Sequence, residues 1–407
     1  MLRSFPQPSP QPSPTQEFGE QVAAGLILIT VWSVVLGRAA PETMGMAPLL
    51  GALALLLLGT LRRDPLSGGW LVVLMLSLRI HLRGGDRYLS EEVALSDVLM
   101  VMIAFAAAFR ASRVFWLTLQ TLLSTLIPVA GVLSWKAHLG TMGGAFAAGN
   151  LTAPQSALVF GLCLCFSLPR LWASLASPPE HSPSQRALPL GLWGLSSLIS
   201  AGLVLASGGV GNLLLVGVAV GAVAIALRLP QKGGPAHGIR ALGFQAGLLA
   251  CGAMAAIVLA PAPTPFNWGP ALQQRLAVLG CFLEAPFRRV EWFVHGVGFT
   301  NSSSWLCARV AGGEPMLQAN NVLAQLAADT GVLTVLVLGG LLAWMGQRIW
   351  QLGGAQSPDP VAVASLAGAL YGVLDAQLEG GWTQSLLIQV MLGLQLAAVT
   401  TPQEAAP

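Results

Sequence analysis

A row of polar side chains opens an otherwise aliphatic stretch, GEPMLQANNVLAQLAADTGVL, at residues 313–333. Gln318, Asn321, Gln325 and Asp329 follow one another at intervals of three, four and four residues. On a helix this spacing places them along one stripe. Unsatisfied polar groups are costly in hydrocarbon, so the stripe is expected to line a cavity or to face neighbouring helices. The stripe alone favours contact between helices, with an Asn as the N-cap.

Side chains that could bind phosphate or transfer a proton lie upstream of this stripe. Arg275 and His295 share one long segment with it, and Arg79 and Arg83 are four residues apart. An Arg can bind a phosphate or carboxylate group through paired charge-assisted hydrogen bonds, and a His with a pKa near neutrality can transfer a proton. For Arg79 and Arg83 a contact with lipid headgroups is the favoured alternative. For His295 the two interpretations stay open.

Composition defines the setting in which these residues act. The chain has 407 residues, of which 54% are hydrophobic and 9% charged, and the mean hydropathy is +0.70. Soluble domains carry about 25% charged residues, so an ordinary soluble domain is excluded. Long unbroken aliphatic runs predict an all-α bundle of transmembrane helices. The net charge of +3 is spread over many segments and indicates no nucleic-acid partner.

A spanning helix needs about 20 apolar residues, and the chain offers twelve such runs. A merger of the seventh and eighth across SGGVGN would reduce them to eleven. The predicted spans are 20–37, 43–60, 66–80, 95–109, 114–134, 152–169, 188–206, 209–227, 241–260, 322–345, 361–377 and 382–399. We therefore expect a transmembrane domain over 19–400, between a disordered tail at 1–18 and a short tail at 401–407.

Basic residues predict the orientation of these spans. With the N-terminus inside, eleven Lys and Arg residues fall in inner segments and five in short outer loops. This excess predicts a multi-pass membrane protein with both termini in the cytoplasm. Segment 261–320, the one long connection, then lies outside. Its three Trp residues and its charges predict amphipathic helices on the membrane surface.

Two further features involve groups near the outer side. Cys281 and Cys307 share the long segment and could form a disulfide in an oxidising compartment, although the unpaired state is favoured because no cysteine framework accompanies them. Asp375 and Glu379 stand four residues apart at the outer end of the eleventh span. They are expected either to bind a sugar hydroxyl or counter-ion, or to form a solvated helix end.

The run ANNVLAQLAADTGVL resembles a motif of the O-antigen ligase and polymerase family, approximately A-H-N-x-x-L-Q-L-L-A-E-T-G-x-x-G. Asp329 stands where the family has Glu. Weaker likenesses occur in RVEWFVHGVGFTN, around Arg275 in QQRLAVLGCFLEAP, and in MGGAFAAGNLTAPQSALVFGL, where Gly144, Phe146 and Asn150 match. The motif residues that match are Ala319, Asn321, Gln325, Leu326, Ala328, Thr330 and Gly331.

The resemblance implies transfer of a glycan from a polyprenyl diphosphate donor to a saccharide or lipid acceptor hydroxyl, on the outer face of the bacterial inner membrane and without a metal or other cofactor. It implies that Arg275 stabilises the diphosphate. Asn320, with His295, would handle the acceptor, and the remaining polar residues would bind substrate. These substrate-binding candidates are Gln318, Asn321, Gln325, Arg79 and Arg83.

Two departures from the family pattern keep a second function open. Asn320 replaces the family's His and cannot act as a base. The family's S-R-G-A segment corresponds best to Ser207-Gly208-Gly209-Val210, which has no Arg. The alternative is a relative without catalytic activity: a transporter, for example of inorganic carbon, or a subunit that binds lipid or glycan.

Overall fold

The computed structural model describes residues 13–37, 111–138, 145–176, 183–228, 268–297, 321–331 and 359–379. It also describes single positions within 53–57, 104–108, 306–310, 344–348 and 391–398. The regular structure of these residues is helical, with no strand among them, so the predicted all-α class is confirmed for this part of the chain.

We number the principal helices α1 to α9 in chain order. The first five are α1 (Pro14–Leu36), α2 (Arg113–His138), α3 (Ala153–Ala176), α4 (Pro183–Ala206) and α5 (Val210–Arg228). The others are α6 (Trp268–Glu284), a 3-10 turn (Ala285–Phe287), α7 (Val290–His295), α8 (Val322–Thr330) and α9 (Pro360–Glu379).

Four of these helices, α1 to α4, are long and apolar enough to cross a membrane. They coincide with the predicted spans 20–37, 114–134, 152–169 and 188–206. The apolar parts of α5 and α9, Val210–Ala226 and Pro360–Asp375, are shorter. The chain is therefore a membrane protein. The predicted spans 43–60, 66–80 and 241–260 lie outside the described residues, apart from positions 53 and 57.

Two helix boundaries differ from the prediction, one at the start of α1 and one at the end of α8. Residues 14–18 are helical rather than part of a disordered tail, because Ser13 is the N-cap and Pro14 fits the first turn. The predicted span 322–345 is wrong as one continuous helix, since α8 ends at Thr330, where Gly331 has φ +80°. The separation of α4 from α5 is confirmed by Gly208, whose φ is +73°.

The bundle is built around α3, which contacts α2, α4, α5 and α9, while α1 packs on α2. Small residues let these helices approach closely, as is common in membranes, where lipid gives apolar side chains no strong reason to cluster. Gly161 of α3 lies against Tyr371 of α9, and Gly368 of α9 lies against Phe166 of α3. Each helix thus provides a glycine for the other's aromatic ring.

We predict that Gly161→Ala destabilises the bundle, because the added Cβ would overlap the ring and hydroxyl of Tyr371. Overpacking of this kind costs about 1–3 kcal/mol. Gly202→Ala in α4 is the matched control, since its Cβ would meet nothing within 4 Å. Thermal unfolding of the two purified variants in one detergent is the measurement. Equal apparent Tm values would contradict the tight α3–α9 contact.

Candidate functional site

Three of the four segments that carry the family resemblance form a small second core beside the bundle. We call it the α6–α8 module, made of α6, the 3-10 turn, α7, α8 and the described residues around Cys307. Its buried apolar residues are Val278, Cys281, Phe282, Ala285, Cys307, Ala324 and Ala328. The module connects to the bundle through α8, which contacts α9.

A disulfide joins Cys281 and Cys307, whose Cα atoms are 5.8 Å apart. The expectation that these cysteines stay unpaired is therefore wrong. It rested on the lack of a cysteine framework, whereas the pairing follows from folding: the chain around residue 307 returns to α6, and both cysteines enter one core. The disulfide closes a loop of 26 residues and lowers the entropy of the unfolded chain. In the chain-entropy account this stabilises the folded state by about 3.5 kcal/mol.

The polar stripe is divided between two roles in the structure. The side chain of Asn321 accepts a hydrogen bond from the Ala324 N–H at 2.9 Å and is the N-cap of α8. This confirms the interpretation of an Asn as the N-cap. Gln325 and Asp329 are 7% and 4% exposed, so this side of α8 faces the interior.

Gly331, the last matched residue of the motif, has a structural reason to be glycine. Its φ of +80° and ψ of −174° belong to a region that is essentially restricted to glycine. A Cβ there would collide with the carbonyl oxygen of Val294. Beside it, the Val297 N–H donates to the Ala328 carbonyl at 2.8 Å and joins the end of α7 to α8.

The packing of α6 on α8 brings the helix of Arg275 to the helix that carries Gln325 and Asp329. Arg275 lies in α6 and His295 is the last residue of α7. The side chains of both are outside the described part of the structure. Gln318, Asn320, Arg79 and Arg83 are outside it altogether.

Two weaker family matches hold the bundle together. Phe146 is buried, stacks on Phe160 with ring centroids 6.3 Å apart, and donates its N–H to the Ala206 carbonyl at 2.9 Å. The Asn150 N–H donates to the Val34 carbonyl at 3.2 Å. These contacts close the loop before α3 against α1 and α4. Gly144 lies outside the described residues.

A polar cluster that the motif search missed joins α5 and α9 inside the bundle. Asn212 donates its amide to the Tyr371 hydroxyl at 3.0 Å and also to the Asp375 carboxylate. Asp375 is 4% exposed, so the expectation of a solvated helix end is wrong at this residue. The sequence could have indicated this cluster, because Asn212 and Asp375 both fall near the predicted outer side of the membrane. The side chain of Glu379 lies outside the described part of the structure.

A second missed cluster surrounds Arg170, which is 6% exposed. Its guanidinium donates to the Gln120 Oε1 at 3.1 Å and to the Thr121 hydroxyl, and it lies 4.8 Å from the centre of the Trp193 ring. Gln120 in turn donates to Ser365 at 2.7 Å. The charge is thus held by neutral partners and an aromatic face, which reduces the cost of burial.

The arrangement defines the class: an all-α membrane protein with a disulfide-linked module beside a polar-joined bundle. Comparison with models of known protein families, with curated proteins and with solved structures finds no match. Among the described residues no group of three or more His, Cys, Asp and Glu could hold a metal ion. The functional assignment therefore depends on the motif and on the geometry of this chain.

We predict that Gly331→Ala disrupts the α6–α8 module, because alanine would be strained at this φ and would collide with Val294. Strain of this kind costs about 1–3 kcal/mol before the collision is counted. The control is Gly280→Ala in α6, where a Cβ meets nothing within 4 Å. Limited proteolysis should cut the module faster in Gly331→Ala than in Gly280→Ala. Equal cleavage rates would show that α8 ends in another way.

Proposed function

We propose that the protein transfers a glycan from a polyprenyl diphosphate donor to an acceptor hydroxyl, as the resemblance to O-antigen ligases implies. The observation that carries the proposal is the packing of α6 on α8. These helices carry two of the segments that resemble the family and are neighbours in one disulfide-linked module. Arg275 and Val322 are 47 residues apart in the sequence. A shared site requires this proximity, and the sequence separation alone does not produce it.

Three roles follow for the residues near this contact. Arg275 binds the diphosphate and stabilises the charge that develops as the leaving group departs. Asn320 orients the acceptor hydroxyl by hydrogen bonding, where a His would transfer the proton. Asn321 keeps the helix start in place, since its side-chain oxygen is occupied by the Ala324 N–H.

The proposal places the α6–α8 module on the outer side of the bacterial inner membrane, with both termini in the cytoplasm. The disulfide supports this side, because disulfides persist in oxidising compartments and are rare in the cytosol. The basic residues of the short loops favour the same orientation.

A second candidate, a transport or ligand-binding role, is favoured by one observation in the bundle. Asp375 is a buried carboxylate beside Asn212 and Tyr371, at the contact of α5 and α9, both of which are predicted spans. Ionisable groups in such positions commonly mark ion or proton pathways. For this candidate, Asp375→Asn would abolish solute uptake.

We predict that Arg275→Ala abolishes transfer of a polyprenyl diphosphate-linked glycan in proteoliposomes, and that Arg275→Lys restores part of it. Lysine keeps the charge and loses the bidentate geometry. Asn320→His should preserve or raise the rate, and Asn320→Ala should lower it about tenfold at most, as expected for one neutral hydrogen bond. Loss of a general base would cost about 10²–10⁴-fold.

Gly280→Ala serves as the control in this assay, because it changes the surface of α6 without a contact. The proposal fails if wild type, Asn320→His and Arg275→Ala are equally inert with every donor while deletion of the gene alters solute uptake. In that case the transport role replaces it.

We predict that a cysteine at Glu284, whose side chain is 74% exposed, reacts in intact cells with a membrane-impermeant maleimide. A cysteine at Gln231, in a predicted inner segment, should react only after the membrane is opened. Both are placed in a chain whose Cys163, Cys165 and Cys251 are replaced by alanine. If the cysteine at position 284 reacts only in opened cells, the module lies on the cytoplasmic side and the proposed orientation is wrong.

A further inference from the structure

The outer edge of the α6–α8 module carries apolar side chains that its core does not cover. Val290 is 84% exposed and Phe287 is 75% exposed, while Phe293 and Val294 are 38% and 40% exposed. The rings of Phe287 and Phe293 lie with centroids 5.8 Å apart. We call these four residues the α7 wedge.

The wedge differs from the exposed leucines of the spanning helices by its place in the fold. It lies on the 3-10 turn and on α7, a helix of six residues that is too short to cross a membrane. Ala285 and Pro286 of the same turn are buried, so the turn has one side in the module core and one side without protein cover among the described residues.

Charged residues border the wedge in a pattern typical of a membrane interface. The Arg289 guanidinium lies 4.8 Å from the centre of the Trp292 ring, and Arg288 lies 3.7 Å from the Glu284 carboxylate. Trp side chains are enriched where headgroups meet acyl chains, and basic residues commonly lie on the polar face of helices at this interface. With Glu291, the two carboxylates balance the two guanidinium charges, so attraction to anionic lipid is a minor contribution.

The position of the module identifies the bilayer as the partner. The module contacts the bundle through α8 and α9, and the bundle contains the helices able to cross the membrane. Apolar side chains beside such a bundle can reach the same bilayer without a second protein.

We propose that the α7 wedge inserts into the acyl region just below the headgroups and anchors the α6–α8 module to the membrane surface. Val290 and Phe287 enter the acyl chains, and Arg288 and Arg289 remain at the level of the lipid phosphates. The anchoring does not depend on glycan transfer, and a failure of either proposal leaves the other standing.

The test places a bimane fluorophore on Val290→Cys in the full chain, with Cys163, Cys165 and Cys251 replaced by alanine. The protein is reconstituted as single copies in phosphatidylcholine nanodiscs. A lipid with a spin label near its headgroup should quench this probe about twofold or more, while aqueous iodide should have little effect. The matched control, a probe on Glu284→Cys, should be quenched more by iodide and less by the lipid than the Val290 probe.

Replacement of part of the phosphatidylcholine by phosphatidylglycerol should leave the quenching of the Val290 probe unchanged, because the charges near the wedge balance. Equal iodide quenching at both positions in single-copy nanodiscs would overturn the proposal. Protection of Val290 that occurs only in vesicles with many copies would also overturn it, since a second copy would then be the partner.

Discussion

The side chain of Tyr371 is the contact on which the bundle depends most. Its ring fits against Gly161 of α3, and its hydroxyl donates to the Ala157 carbonyl at 3.3 Å while accepting from Asn212 of α5. One fully buried residue thereby joins α3, α5 and α9. In lipid no water replaces a lost partner, so an unsatisfied group would cost several kcal/mol. The hydroxyl therefore determines how the three helices pack.

Polar contacts also join the starts of α1, α2 and α9, at the end of α9 opposite to Tyr371. Arg113 at the start of α2 pairs with Asp359 before α9, with an N–O distance of 2.8 Å. Glu20 near the start of α1 accepts from Ser112, just before α2. The starts of α1, α2 and α9 thus lie at one end, and the Asn212–Tyr371–Asp375 cluster lies towards the other. In the predicted order of spans these helices are the first, fifth and eleventh, which would likewise begin on the same side of the membrane.

The lengths of the apolar runs predicted the helices better than the sequence predicted the contacts between them. The runs at 20–37, 114–134, 152–169 and 188–206 became helices because apolar length alone specifies them. The end of α8 was missed because it depends on the left-handed Gly331 and its approach to Val294. The disulfide and the burial of Asp375 were missed for a similar reason: both result from segments that meet only after folding.

Two residues of the motif have structural roles at the ends of α8. Asn321 caps α8, and Gly331 ends it, so both are explained by the backbone without a substrate. Gly208 has φ +73°, a conformation that an Arg would adopt only under strain, so the turn between α4 and α5 favours glycine at this position. If the protein acts on a diphosphate, a second cation beside Arg275 must come from another segment. Among the basic residues of the predicted outer segments, Arg79 and Arg83 stand four residues apart and are our candidates for this role.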